Sequence, residues 1–292
     1  MWGLFPLYWP LLEPAGALEI TAHRVAWSLV LVVGLLVLGR GGAGVRPLVG
    51  DPAALARMTL AAVLIGGNWC IYIWGVNTDH VVETSLGYFI NPVVTVLIGV
   101  LVLQERLRPM QWAAVGCGGV AVVVLTAGYG RPPWIALGLA FSFAVYGLLK
   151  KQVGGRVGAV QSLTVETAVL FLPAVAWLLF LEVQGDGTFG HSGVGHGLLL
   201  ASAGVATAIP LLFFAAAARR VPLSLLGMLQ YLAPVLQFLT GVLLYDEPMP
   251  ASRLAGFALV WAALVILSVD GLANRRRTRR ASARPEVVDT YA

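Results

Sequence analysis

The sequence predicts an all-α polytopic membrane protein: ten transmembrane helices arranged as two inverted five-helix repeats around a central cavity. Three observations predict it. The chain is 59% hydrophobic and only 11% charged over its 292 residues, whereas a soluble domain carries about 25% charged residues. Apolar stretches long enough to cross a bilayer alternate with short polar breaks. A proline, a glycine and a glutamate recur in one register in two distant parts of the chain.

The apolar spans fall at about 2–13, 17–39, 56–77, 80–103, 109–127, 132–149, 161–181, 197–218, 222–245 and 251–271. At about 1.5 Å per residue, all but the first cross or nearly cross a core of roughly 30 Å. Helix is the regular structure that fits, because lipid cannot satisfy an open strand edge. The first span gives only about 18 Å and lacks the charged flank and cleavage site of a signal peptide. It reads as a truncated first helix, continued by codons upstream of Met1.

Among the spans, the second carries Glu19, His23 and Arg24; the third carries Asn68, Trp69, Cys70 and Tyr72; the fourth carries Glu83, Tyr88 and Asn91 ahead of Pro92. Gly116, Gly118 and Gly119 in the fifth suit close helix packing or lipid contact. The sixth holds Ser142 and Tyr146 on one face, the seventh Glu166, and the ninth Gln230 and Tyr231 ahead of Pro234.

Basic residues set the orientation. With the short first span entering from the cytoplasm, 16 Lys and Arg fall on the cytoplasmic side and only Arg131 and Arg253 outside, while Arg24 lies within a span. The positive-inside rule then puts both termini in the cytoplasm of a bacterial plasma membrane. Net charge is +5, but six of the arginines sit in one tail after residue 274 and the rest are scattered. No basic face is left for nucleic acid. Cys70 and Cys117 lie inside apolar spans and read as buried thiols.

PVVTVLIGVLVLQE at 92–105 repeats as PVLQFLTGVLLYDE at 234–247, so Pro92, Gly99 and Glu105 match Pro234, Gly241 and Glu247. The match carries the fourth span onto the ninth. An odd number of crossings per unit turns the second unit upside down, the architecture of many secondary transporters. The expected units are 1–130 and 131–271, followed by a basic cytoplasmic tail, 272–292, expected to be disordered.

GLFPLYWPLL (3–12), EITAHRVAWS (19–28), NWCIYIWGVN (68–77), HVVETSLGYFINP (80–92) and LGMLQYLAPVLQFLTGVLLYDEPM (226–249) resemble the RarD-type members of the EamA family of drug/metabolite transporters. The resemblance covers residues 3 to about 271. It implies ten helices in two inverted five-helix units around a central cavity, solute efflux or uptake without ATP hydrolysis, and an association with chloramphenicol sensitivity. Family members carry further residues before GLFPLYW, and the basic tail lies outside the pattern.

Polar side chains in lipid cost a few kcal/mol unless they face a cavity or a partner, which makes them the site candidates. Asn68, Trp69, Tyr72, Tyr88, Asn91, Ser142, Tyr146, Gln230 and Tyr231 are expected to line the substrate cavity. Interhelical bonding by Asn68 and simple kinks at Pro92 and Pro234 are the plainer alternatives. Arg24 and Glu83, at similar depth, are expected to form a gate or ion pair. Glu19 and His23 share a face and are candidates for proton coupling, although a carboxylate in a first helical turn needs no function. His191 and His196 sit in a glycine-rich outer loop that reads as solvated. No metal set, cofactor motif, catalytic group or ATP-binding GxxxxGK[ST] is evident. The expected partners are a small-molecule substrate and the lipid bilayer; homo-oligomerisation is left open. A membrane-embedded enzyme and a non-transporting scaffold are the rival classes. The enzyme finds no support in the aspartates, which all lie at span ends, in loops or in the tail.

The charge split makes the orientation testable. Reporters fused after Arg46, Lys151 and Arg277 should read as cytoplasmic and those after Asp79 and Gly190 as external. A cytoplasmic signal at Gly190 would overturn the inverted repeat.

Overall fold

The computed structural model describes residues 1–39, 50–104, 106–153, 159–218 and 231–282. A short helix α1 (Phe5–Tyr8) lies between single 3-10 turns at Trp2–Leu4 and Trp9–Leu12. Then come α2 (Ala17–Leu38), α3 (Pro52–Asn77), α4 (Val81–Leu103), α5 (Pro109–Tyr129), α6 (Trp134–Val153), α7 (Ala159–Gln184), α8 (Val194–Ala218), α9 (Leu232–Leu243) and α10 (Ala251–Ser282). Among the described residues seven helices are long and apolar enough to cross a membrane, while α6 and α9 contribute shorter apolar stretches, Trp134–Lys150 and Leu232–Leu243. The first part of the expected ninth span, with Gln230, lies outside the described residues, as does Glu105.

Local chemistry sets the ends. Asp51 caps α3, its Oδ1 accepting from the Ala53 amide at 2.9 Å, with Pro52 in the first turn, where a missing N–H costs nothing. Gly130, at φ +68°, ends α5 in the left-handed conformation that glycine adopts without strain. The tail expected to be disordered from residue 272 is instead helical through Ser282. Leu, Ala and Arg are good helix formers, so the apolar helix propagates into the basic stretch.

Packing pairs distant helices. α2 lies against α7 and α8, α3 against α6 and α7, α4 against α6 and α9, and α5 along α10. The N-terminal segment packs on α9 and touches α3 and α8. Two glycines permit close approaches in this packing. A Cβ on Gly241 would come 2.8 Å from Val82 Cγ2 and 3.0 Å from its amide nitrogen. The bare glycine therefore lets the end of α9 reach the start of α4, where both Glu247 carboxylate oxygens lie 3.1 Å from the Val82 amide. At Gly204 the crossing of α2 and α8 is closer still, with the Trp27 carbonyl carbon 2.4 Å from where a Cβ would stand. Gly118 likewise meets Val93, whereas Gly116 and Gly119 face open space.

Outward faces carry Val30, Leu60, Trp112, Val123, Leu172, Val183, Phe213 and Val265, all exposed, as a lipid solvent requires. Loop contacts gather at one end of the bundle: Glu247 with Val82, Arg131 with Glu83, Arg253 over the Tyr129 ring, and Tyr245 donating to the Pro6 carbonyl. This is the end that the arginine distribution assigns to the outside.

Burial pushes the Glu247 carboxyl up to about 7 from an ordinary 4.5, against the opposing pull of the Val82 and Val81 amides. A carboxyl raised in the folded state favours folding below its unfolded value and loses that contribution as pH rises through the folded one. The melting temperature of purified protein should therefore fall between about pH 5 and pH 8, and Glu247→Gln should flatten that slope.

Candidate functional site

The polar side chains within the bundle converge between α2, α3, α4, α6 and the N-terminal segment. Asn68 is 1% exposed. Its amide donates to the Leu139 carbonyl at 3.0 Å and to Ser142 Oγ at 2.9 Å, and its Oδ1 accepts from the Tyr88 hydroxyl at 3.5 Å. One turn along α3, the Tyr72 ring meets Tyr88 edge-on with centroids 5.6 Å apart, and Phe143 abuts Tyr88 and Tyr146. Asn91 donates to the Ala140 carbonyl at 3.1 Å, tying α4 to α6 beside Pro92. Five of the sequence candidates, Asn68, Tyr72, Tyr88, Ser142 and Tyr146, thus form one connected patch. Asn91 sits a turn deeper, and Tyr231, at the start of α9, packs partly buried against the apolar cluster of α4, α5, α6 and α10.

The expected pairing of Arg24 with Glu83 is not what the structure holds. Glu83, 1% exposed, bonds Arg131 at 2.8 Å and accepts from the Ile135 amide at 3.1 Å. Arg131 follows α5 and reaches back over the start of α4, and the free amides of the α6 N-terminus add a second positive pole. Arg24 turns inward instead. Its guanidinium stands 4.1 Å from the centre of the Trp69 ring, 5.1 Å from Trp9 and 5.9 Å from Phe5. Trp9, which sequence reasoning did not single out as a site residue, is fully buried. Its only advance signal was its place in the GLFPLYWPLL stretch.

Glu19 and His23 face a folded loop. The amide and hydroxyl of Thr188 donate to Glu19 Oε1 at 2.8 and 2.9 Å, and His23 lies against Phe189 at 4.8 Å between ring centroids. Thr188 and Phe189 of the glycine-rich loop therefore lie against α2, while residues 190–195 of the same loop stay exposed. His196 is half-buried, 2.9 Å from Thr188 Oγ1, while His191 is exposed beside Glu182.

Toward the opposite end, Glu166 is 2% exposed and holds Lys150, Ser162 and the Tyr146 hydroxyl. Lys150 at one turn from Tyr146 was the available signal for this cluster, masked by the neighbouring Lys151, which made the pair read as loop charge. Arg108 and Asp270 pair across α5 and α10 at the same end. There a groove of roughly 400 Å³ runs between α4, α5 and α10 from Asn91 and Thr95 to Arg108 and Asp270. Among the described residues no three His, Cys, Asp or Glu side chains converge as a metal site.

A family model described as "EamA-like transporter family" matches residues 1–127 and again 132–269. The chain belongs to the EamA-like transporter family. Within it, the chain is a RarD-type member, 60% identical to Protein RarD of Streptomyces exfoliatus over 100% of this chain and 93% of that protein. A protein of Vibrio cholerae serotype O1 described as an uncharacterized transporter is 42% identical over 96% of this chain and 92% of its own. A solved crystal structure with 20% sequence identity aligns at a TM-score of 0.58 over 91% of this chain and 92% of that one. That last likeness is one of fold. An EamA member of this kind is a multi-pass membrane protein of a transporter family, and its polar interior is read in that light.

Removing Arg131 leaves the Glu83 carboxylate buried with one partner fewer. Arg131→Ala should cost about 1–3 kcal/mol, as for other unsatisfied buried acceptors. Combining it with Glu83→Gln should cost less than the sum of the single changes, since the two act on one bond. Denaturation in detergent of the four species checks this.

Proposed function

We propose that the chain is a secondary transporter of small metabolites or drugs working by alternating access, with ten transmembrane helices in two inverted five-helix units. The observation that carries this reading is the constant spacing of equivalent helices. α2 and α7 begin at residues 17 and 159, α3 and α8 at 52 and 194, and α5 and α10 at 109 and 251, each 142 apart. That is also the offset of the Pro–Gly–Glu repeat.

The packing supports the same symmetry. α2 on α7, α4 on α9 and α5 on α10 are contacts between equivalent helices, and α2 on α8 is matched by α7 on α3. Exchanging the units thus leaves these pairings in place, as an inverted repeat requires. Two separate stretches of the chain matching one family model agree with units near 1–130 and 131–271.

In this reading Asn68, Trp69, Tyr72, Tyr88, Asn91, Ser142, Tyr146 and Tyr231 face the solute path; Gln230, expected with them from the sequence, lies outside the described residues. Glu83–Arg131 and the Glu19–Thr188 contact hold the outer end shut, and Lys150–Glu166 and Arg108–Asp270 are the corresponding fastenings inside. Solute passes when one set opens while the other stays closed, a rocking of the two units about the polar patch.

The test is a solute screen by thermal shift on purified protein, followed by flux into proteoliposomes with and without a proton gradient. Saturable, competable flux is expected. Asn68→Ala should lower that flux by an order of magnitude at a stability cost near 1 kcal/mol, the usual worth of an interhelical bond in a membrane. A variant that unfolds while its surviving fraction transports normally would make Asn68 a structural bond and move the site elsewhere.

A further inference from the structure

Among the described residues Arg24 is a cation without a counter-charge. It is 5% exposed, and among the described residues no carboxylate lies within ion-pair distance of it. The faces of Trp69, Trp9 and Phe5 offset only part of the cost of taking a guanidinium out of water. Its Nε has no hydrogen-bond partner.

The neighbourhood is short of partners in the same way. The Trp9 indole N–H is buried and unbonded, and the Tyr72 hydroxyl has only the Gln237 side chain within reach, beyond ordinary hydrogen-bond geometry. Gln237 comes from α9, where its amide nitrogen donates to the Trp2 carbonyl at 3.1 Å. The phenols of Tyr88, Tyr72 and Tyr8 lie within electrostatic reach of the guanidinium. Folded proteins pair the great majority of such buried groups. Here the unbonded Nε of Arg24, the unbonded Trp9 N–H and the weakly held Tyr72 hydroxyl lie together at a guanidinium with no carboxylate partner among the described residues. Two of the neighbours, the Trp9 N–H and the Tyr72 O–H, are donors, the polarity that a carboxylate accepts.

We propose that Arg24 is the anion-binding centre of the solute path, and that the solutes carried are organic carboxylates whose charge pairs with its guanidinium. The word "carried" rests on the transporter reading above, whereas the anion site stands on burial and missing partners alone. A planar guanidinium accepts a carboxylate through two parallel N–H bonds, and Trp9 and Tyr72 supply the further donors. The rings that now cover the cation hold it in place between loads.

Matched pairs of probes test this on the purified full chain: benzoate with benzamide, phenylacetate with its amide, hexanoate with hexanamide, and chloride as an inorganic anion. Thermal shift and tryptophan quenching are the readouts. At least one carboxylate should bind saturably, about tenfold or more tighter than its amide, the effect of one charge-assisted hydrogen bond. Arg24→Gln should erase that preference while amide binding stays as it was, and Arg24→Lys should retain part of it. Without ligand, Arg24→Met should melt no lower than wild type, because it removes an unpaired buried charge. The proposal is overturned if no carboxylate outbinds its amide, if the preference survives Arg24→Gln, or if chloride stabilises as well as the organic acids. A lower melting temperature for Arg24→Met would also overturn it, by making Arg24 a packing element. Carboxylate binding lost in Arg24→Gln, but with no flux of that carboxylate into proteoliposomes, retires the transport reading and keeps the anion site. Saturable flux of a neutral solute, unchanged in Arg24→Gln, does the reverse.

Discussion

Charge withdrawn from water into lipid costs several kcal/mol per ion unless something nearby answers it, and the way this chain answers each one organises its architecture. Glu83 is held by Arg131 and the Ile135 amide, Glu247 by the Val82 amide, Glu19 by Thr188, Glu166 by Lys150, and Asp270 by Arg108. Each bond joins different helices or their flanking loops, and each lies toward one end or the other of the bundle. The middle is left to aromatic rings, amides and the single guanidinium of Arg24. Fastenings at the ends and a softer, polar centre are what a molecule needs if its ends open by turns.

Much of this fold was legible in the sequence because lipid imposes a simple grammar. Apolar length marked the seven helices that can cross a membrane, and Pro92, Gly99 and Glu105 against Pro234, Gly241 and Glu247 marked a repeat in the sequence. The structure adds a physical reason for the second half of that motif: Gly241 allows the approach that lets Glu247 reach Val82. Span ends were less legible. Helix α10 runs past residue 271 to Ser282 because arginines continue a helix as readily as they leave a membrane, and hydropathy registers only the second property.

The interior was legible as a set of residues and not as a set of bonds. Asn68, Tyr72, Tyr88, Ser142 and Tyr146 do meet. Depth alone, however, gave Glu83 to Arg24, because both sit a few residues below the outer face. What decides the pairing is rotation about the helix axis and the path of the segment at 130–133, and a single sequence carries neither. Trp9 escaped notice for a related reason. An aromatic in a short apolar stretch is indistinguishable from lipid-facing bulk until the neighbouring cation is placed against its ring.

The docking of the N-terminal segment on α9 has a consequence for how the protein is made. The Trp2 carbonyl accepts from Gln237 and the Pro6 carbonyl from Tyr245, so these residues are completed by residues synthesised more than two hundred positions later. At a synthesis rate of about 5–20 residues per second that is a delay of roughly 10–50 s. Throughout it, the Trp2 and Pro6 carbonyls must wait without these partners. The nascent chain is therefore open to quality-control proteolysis around residues 2–6 until α9 is made, and the ninth helix is the step that relieves it.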